Sequence, residues 1–380
     1  MALKIALIRQ RYNPFGGAER FVERALSALA TKGAEITLLT RSWKGAPIEG
    51  FKQVICDPPY SRMLGGRAAR DQSFCAAAQA VMATEHFDIV QAHERIPGCN
   101  IFRAGDGVHA AWLQHRNRVL GLLGRFAQRI SPFHSAVLAA EKAMFEHPAL
   151  KVVICNSRLV ADEVAQFYQV PTEKLRVIYN GVDGEVFHPR LAEEFREKVR
   201  SAHHIPNEVP LLLFVGSGFE RKGIPGLLAA FAQMTRPDAR LVVVGADRKL
   251  NAMRALAQKL NITKRVIFTG PLKDVRPWYG AADAFVLPTL YDPCPNAALE
   301  ALSAGLPSLV SNSCGAAEFI QAGGNGYVCD ALDVKQMATQ LDALCELSKQ
   351  GKAKVSARAA VSHLTLPAMA SELLALYQQL

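Results

Sequence analysis

Short apolar runs rich in β-branched residues recur along the chain, each followed by a longer stretch with helical spacing. LKIALI (3–8), EITLLT (35–40), FDIVQAH (87–93), KVVICNS (151–157) and LRVIYN (175–180) lack strict in-out alternation. That pattern predicts strands of a parallel sheet covered on both faces. Residues 18–32 carry a helical pattern that ends at Gly33, placed to cap a helix C-terminus. The series then restarts with LLLFVGS (211–217), LVVVGA (241–246), RVIFTG (265–270), AFVLPT (284–289) and PSLVSN (307–312). Two βαβ series of similar size predict two doubly wound α/β domains with ligands at the carboxyl ends of their strands. The stretch NGVDGEVFHPR (180–190) has the Gly, Asn and Pro content of a linker. The expected division is therefore 1–185 and 190–365. Residues 366–380 carry an apolar stripe (Met369, Leu373, Leu374, Leu376) that predicts a final helix.

Three places follow strands and carry chemistry. In FGGAER (15–20), Gly16 and Gly17 would let backbone amides approach a ligand, at the positive end of the helix that starts near Ala18. In VGSGFERKG (215–223), the spacing from Gly216 is G-x-G-x-x-x-x-G, so the third glycine is misplaced for a dinucleotide fingerprint. The adjacent cations Arg221 and Lys222 are the stronger signal, since two fixed cations can hold a diphosphate and neutralise its charge as it departs. In LYDPCPNAALEALSAGLPSLVS (290–311), Asp292 precedes Glu300 by eight residues. Asn296, Ala297 and Ala298 would present amides at a helix N-terminus, an anion site. Glu300, one turn inside, could accept hydrogen bonds from the vicinal hydroxyls of a ribose. A buried carboxylate without partners is costly, which argues that a ligand completes this site. A glycine pair or a basic turn alone is equally an ordinary surface turn, and the case rests on their order.

Taken together, GGAER, RKG, Asp292-x7-Glu300 with ALSAGLPSLV, and NGVD at 180–183 resemble the family 4 retaining glycosyltransferases over nearly the whole chain. Within that family, YNPFGGAER, GSGFERKG and the AGD segment at 104–106 are most similar to the lipopolysaccharide core enzymes that act on inner-core heptose. The resemblance implies a GT-B fold, two facing Rossmann-like domains with the final helix crossing back to the first. The first domain would bind the acceptor and the second the nucleotide sugar, with UDP-glucose the expected donor. It makes Arg221 and Lys222 stabilisers of the leaving diphosphate. Gly16, Gly17, Gly216, Asp292, Asn296, Ala297, Ala298 and Glu300 become donor contacts, and Asp106 becomes a group near the acceptor. Three positions depart from the common family pattern: Asp292 stands where Glu is usual, Ser217 where many members carry Arg, and Asp106 where many carry His. Another UDP-sugar, such as a UDP-N-acetylhexosamine, or another acceptor would fit the same motifs. A non-catalytic sugar-nucleotide binder would not need both cations and the acidic pair.

Composition narrows the partners. The chain has 44 Lys+Arg against 34 Asp+Glu, a formal +10, and no acidic residue between 107 and 140. Arg116, Arg118, Arg125 and Arg129 there alternate with Trp112, Leu120, Leu122, Leu123, Phe126 and Phe133. Such interleaving suits an anionic membrane surface or a phosphorylated acceptor. Nucleic acid is not expected, because no binding motif accompanies the charge. No apolar run is long enough for a membrane span, and MALKIALIRQR reads as a first strand and not as a signal peptide. The eight scattered cysteines form no CxxC pair, as small buried residues of a reducing compartment would be. The expectation is thus a cytoplasmic protein held peripherally at the inner membrane. No Asp-x-Asp occurs in the sequence, and no metal or other cofactor is expected.

Overall fold

A computed structural model describes residues 3–12, 34–43, 50–61 and 66–380. The chain divides into two compact units, Met1–Asn180 with Pro367–Leu380, and Gly181–Leu366. Each unit is built on one parallel sheet.

In the first unit seven strands run in the order Phe51–Ile55, Glu35–Thr40, Lys4–Ile8, Ile89–Ala92, Ile101–Ala104, Val152–Cys155, Leu175–Val177. The second has six, in the order Val266–Gly270, Arg240–Val244, Leu211–Val215, Ala284–Leu287, Ser308–Ser311, Gly326–Cys329. In both, the first strand is central and the order reverses between it and the fourth, as in Rossmann-like folds. Among the described strands of these two sheets, three were not foreseen, and each has a reason. Phe51–Ile55 is an edge strand with little of its surface buried, so it lacks an apolar signature. Ile101–Ala104 is four residues long and includes the buried Arg103, whose charge breaks the apolar run. Gly326–Cys329 opens on a glycine, where a Cβ would fall 1.9 Å from the Ser308 carbonyl oxygen.

Two features fix the framework of the sites. The helix Leu366–Gln378 buries Met369, Leu373, Leu376 and Tyr377 within the first unit. Each such side chain contributes roughly 1.5–3 kcal/mol, and the Tyr377 hydroxyl donates to the side-chain oxygen of Gln91 on a central strand. In the second unit, Arg200 from the helix Leu191–Ala202 is only 1% exposed. It donates to Asp283 Oδ2 at 2.6 Å and to the carbonyls of Ala281 and Pro206, both at 2.9 Å. Asp283 Oδ2 also accepts the Leu211 amide at 2.8 Å, which fastens the start of the strand leading to Gly216. Such a pair is structural: losing one partner would strand a buried charge at a cost of about 3–5 kcal/mol. No described helix is long and apolar enough to cross a membrane.

Candidate functional site

In the second unit the reversal of strand order falls between Leu211–Val215 and Ala284–Leu287. The loops leaving these two strands are 216–223 and 288–295, and the structure brings them together. Thr289, fully buried, is the joint. Its hydroxyl donates to the Arg221 carbonyl at 3.0 Å, and the Leu290 amide donates to the same oxygen at 2.7 Å. The hydroxyls of Ser311 and Ser313 both donate to the Thr289 carbonyl. Glycine is required twice. Gly223 has φ +80°, and a Cβ there would lie 1.8 Å from the Pro288 carbonyl oxygen. At Gly216 a Cβ would sit 2.7 Å from Lys222 Cδ, so the missing side chain makes room for the lysine stem.

The result is a charge cluster. Lys222 Nζ lies 3.1 Å and Arg221 Nη1 3.4 Å from Asp292 Oδ2. Arg221 Nη1 also donates to the Tyr291 carbonyl at 2.8 Å. Asp292 is buried and Lys222 nearly so, and screening by water is correspondingly weak. Two cations around one carboxylate leave a net positive charge in a fixed place. On the opposite flank, Asp247 accepts the amides of Phe219 and Lys249 at 2.8 and 2.7 Å. Burial works against that carboxylate, yet these amides hold its pKa below the ordinary range.

The helix Asn296–Ser303 begins after Pro295 with no side-chain cap. Of the three amides expected to face a ligand, that of Ala298 is used internally, donating to the Pro295 carbonyl at 3.0 Å. The first turn tightens at its proline entry, which leaves the Ala297 amide at the open end. Glu300 differs from expectation as well, because a protein partner was present that the spacing did not reveal. The hydroxyl of Tyr279 donates to Glu300 Oε2 at 2.9 Å and lies 3.2 Å from the Ala297 carbonyl. Tyr279 is buried and packs edge-on to Phe187. Burial, with the charge of Glu300, pushes its pKa well above the ordinary tyrosine value, so it stays a donor.

In the first unit, Gly16 and Gly17 lie outside the described residues. Asp106 is exposed on the loop that leaves Ile101–Ala104. Beside that loop is a group that motif reading passed over. Glu141, 1% exposed, accepts Arg95 Nε and Nη2 at 2.9 and 2.7 Å and the His109 amide at 2.8 Å on Oε1. Its other oxygen accepts the Tyr168 hydroxyl at 2.6 Å. The one available signal was position, since Glu141 is the residue that ends the acid-free run. His109 Nε2 lies 3.0 Å from His134 Nδ1, and His134 Nε2 lies 3.0 Å from Arg116 Nη1. Burial pulls the His109 pKa down to about 4 in spite of Glu141.

The acid-free segment forms the helices His109–Asn117 and Leu122–Arg129 and most of Pro132–Phe145. Its four arginines do not act alike. Arg116 is half-buried against His134, while Arg118, Arg125 and Arg129 are exposed, with Arg125 Nε donating to the carbonyls of Asn117 and Leu120. Leu122, Leu123, Phe126 and Ile130 are 84%, 86%, 63% and 60% exposed. The helix is held from below by Gln128, which donates to the Leu113 carbonyl at 3.1 Å and to Asn117 Oδ1 at 2.9 Å. An anchored helix with bare apolar side chains among arginines is rare on a purely solvated surface.

Comparison with known proteins gives two family matches that succeed one another along the chain. Residues 15–186 match Glycosyltransferase Family 4, and residues 195–360 match Glycosyl transferases group 1. The lipopolysaccharide glucosyltransferase WaaG of Escherichia coli (strain K12) is 30% identical over 328 residues, which cover 85% of this chain and 84% of that protein. The lipopolysaccharide core biosynthesis glycosyltransferase LpsE of Rhizobium meliloti (strain 1021) is 25% identical over 338 residues, 86% of this chain and 85% of that one. Among solved structures, the crystal structure of WaaG superposes with a TM-score of 0.81 at 26% identity, covering 97% and 98% of the two chains. Anabaena HepE in complex with UDP-glucose shares the fold, with a TM-score of 0.71 at 19% identity over the full length of both chains.

Proposed function

The chain is a member of glycosyltransferase family 4 with the GT-B architecture, and from that premise we propose that it transfers glucose from UDP-glucose to a heptose of the lipopolysaccharide inner core. The observation that carries the reading is the cluster of Lys222, Arg221 and Asp292 at the reversal point of the second sheet. Fixed cations at strand ends are what a departing nucleoside diphosphate needs, because its negative charge grows as the glycosidic bond breaks. Asp292 keeps both cations in place before the donor arrives, so little reorganisation is needed during reaction. The Ala297 amide at the helix entrance adds a fixed dipole, and Glu300 one turn further accepts the ribose hydroxyls.

The cations can take the place a divalent metal has in other transferases, so the reaction proceeds without one. The anomeric configuration is retained, as in the family. Asp106 serves the acceptor side in the first unit, and Gly16 and Gly17 belong with the donor contacts. The name of the E. coli relative supports glucose as the transferred sugar and lipopolysaccharide as the acceptor. The exposed Leu122, Leu123, Phe126 and Ile130 among arginines support peripheral attachment to an anionic membrane, where such an acceptor resides.

The test is turnover on a heptose-terminated core oligosaccharide with UDP-glucose, UDP-galactose and UDP-N-acetylglucosamine, with and without EDTA. UDP-glucose is expected to give the highest kcat/KM and an α-linked product, unaffected by the chelator. Preference for another donor would displace the glucose assignment. Absence of transfer from all three would displace the acceptor as well.

A further inference from the structure

The first unit has its own reversal point, between strands Lys4–Ile8 and Ile89–Ala92. Outside the carboxyl ends of these strands lies a cavity of about 320 Å³, within the size range of small-ligand pockets. Gln10 follows the first strand and Glu94 to Pro97 follow the second, and all of these line it. One wall is the helix Gly66–Thr84, with Asp71, Phe74 and Cys75, and the other is Pro132–Phe145, with Ala136, Val137 and Ala140.

We propose that this cavity binds a neutral, hydroxyl-bearing sugar ring of the acceptor, while the acceptor's anionic groups are read elsewhere. The proposal rests on the glycosyltransferase reading above and adds the chemistry of the acceptor site to it. A pyranose presents one face of C–H groups and an edge of hydroxyls. The cavity offers the matching halves: apolar side chains of Phe74, Ile96 and Val137, and polar groups from the buried Gln10 and a rim of Asp71, Gln72 and Glu94. Carboxylates and amides accept and donate to hydroxyls but repel, or bind weakly, a phosphate. Among the described lining residues the one cation is Arg95, and its Nε and Nη2 are both committed to Glu141. The exposed arginines Arg118, Arg125 and Arg129 belong to a different surface and are not among the lining residues. A phosphorylated ligand therefore finds its cations there and its ring site here.

Cys75 makes the proposal measurable on the unmodified protein. Seven of the eight cysteines are buried, and Cys75 is half-buried on the cavity wall. Its alkylation by N-ethylmaleimide at mildly alkaline pH, followed by peptide mass spectrometry with UDP present throughout, reports occupancy. An unphosphorylated heptose-terminated core oligosaccharide, at a concentration that saturates turnover, is expected to slow the reaction at Cys75 at least about fivefold. UDP alone is expected to leave the rate unchanged. Independently, Val137→Phe should raise the KM for that oligosaccharide about tenfold or more with the Kd for UDP unaltered. Gln72→Ala, on the exposed rim, should raise it about threefold.

Turnover without protection of Cys75 and without a KM effect in either variant overturns the cavity assignment and leaves the glycosyltransferase reading standing. Protection by a phosphorylated oligosaccharide but not by the neutral one also overturns it, because the site would then be reading charge. Absence of turnover defeats the reading on which the proposal rests, and the proposal falls with it.

Discussion

Replacing Tyr279 by Phe removes one oxygen from the interior of the second unit and tests how Glu300 is held. The hydroxyl has a single proton and two acceptors, Glu300 Oε2 at 2.9 Å and the Ala297 carbonyl at 3.2 Å. The carboxylate is nearer and charged, so it takes the proton, and a bond of this kind contributes about 1.5–3 kcal/mol. Most of that should appear as lost stability, a fall in Tm of about 3–10 °C for a unit of this size. If Glu300 grips a ribose, a smaller part passes into binding, because the carboxylate loses its fixed orientation. About 1 kcal/mol, a fivefold weaker Kd for UDP by calorimetry, is the expected transfer. Glu300→Ala should cost more, about 10–100-fold, through the direct hydrogen bonds. The decisive measurement is the double-mutant cycle. In the Glu300→Ala background Tyr279→Phe should no longer affect UDP, and 2′,3′-dideoxy-UDP should not distinguish any of the four proteins. An equal cost of Tyr279→Phe in both backgrounds would refute the argument, since the tyrosine would then act on the fold as a whole.

Three further outcomes are expected. Lys222→Ala should lower kcat about 100-fold or more with a much smaller change in UDP affinity, because its charge matters most as the diphosphate leaves; equal losses in both would reduce it to an anchor. Changing Arg116, Arg118, Arg125 and Arg129 to Gln should abolish co-sedimentation with anionic vesicles, and so should Leu122, Leu123 and Phe126 to Ser, with UDP affinity intact in both. Wild-type protein that ignores anionic vesicles would end the membrane claim. The last outcome concerns acid. His109 is held neutral with its pKa lowered to about 4, and burial lowers His93 and His134 in the same direction. The unfolded chain therefore binds more protons between pH 6.5 and 4, so Tm should fall as pH drops through that window. His109→Gln should make the fall shallower, and an unchanged slope would contradict the assignment.

The architecture was legible because buried parallel strands advertise themselves by unbroken apolar runs, as LLLFV and VVIC do. Strands that missed this rule are edge strands or carry a buried charge, as Arg103 does. Lys222 and Asp292 were legible because each lies just past a strand end, where a fold of this kind presents its residues. Their meeting was not, because it depends on Thr289, a residue with no chemistry of its own that ties two loops through carbonyl oxygens. Tyr279 was invisible for a similar reason, and Glu141 was marked only by its place at the end of the acid-free run. Each is a partner supplied across the fold, 21 residues from Glu300 in one case and 46 from Arg95 in the other, and a linear motif has no access to such distances.

The split of the first unit has a consequence for how the polypeptide is made. Its last helix is contributed by Pro367–Leu380, beyond the whole of the second unit. The whole of the second unit is synthesised before the helix whose Tyr377 meets Gln91 on a central strand. At about 5–20 residues per second the intervening stretch takes about 10–40 s to synthesise. During that interval the apolar surface that Met369, Leu373 and Leu376 will cover is open to solvent, and the nascent chain is then a natural client for a chaperone.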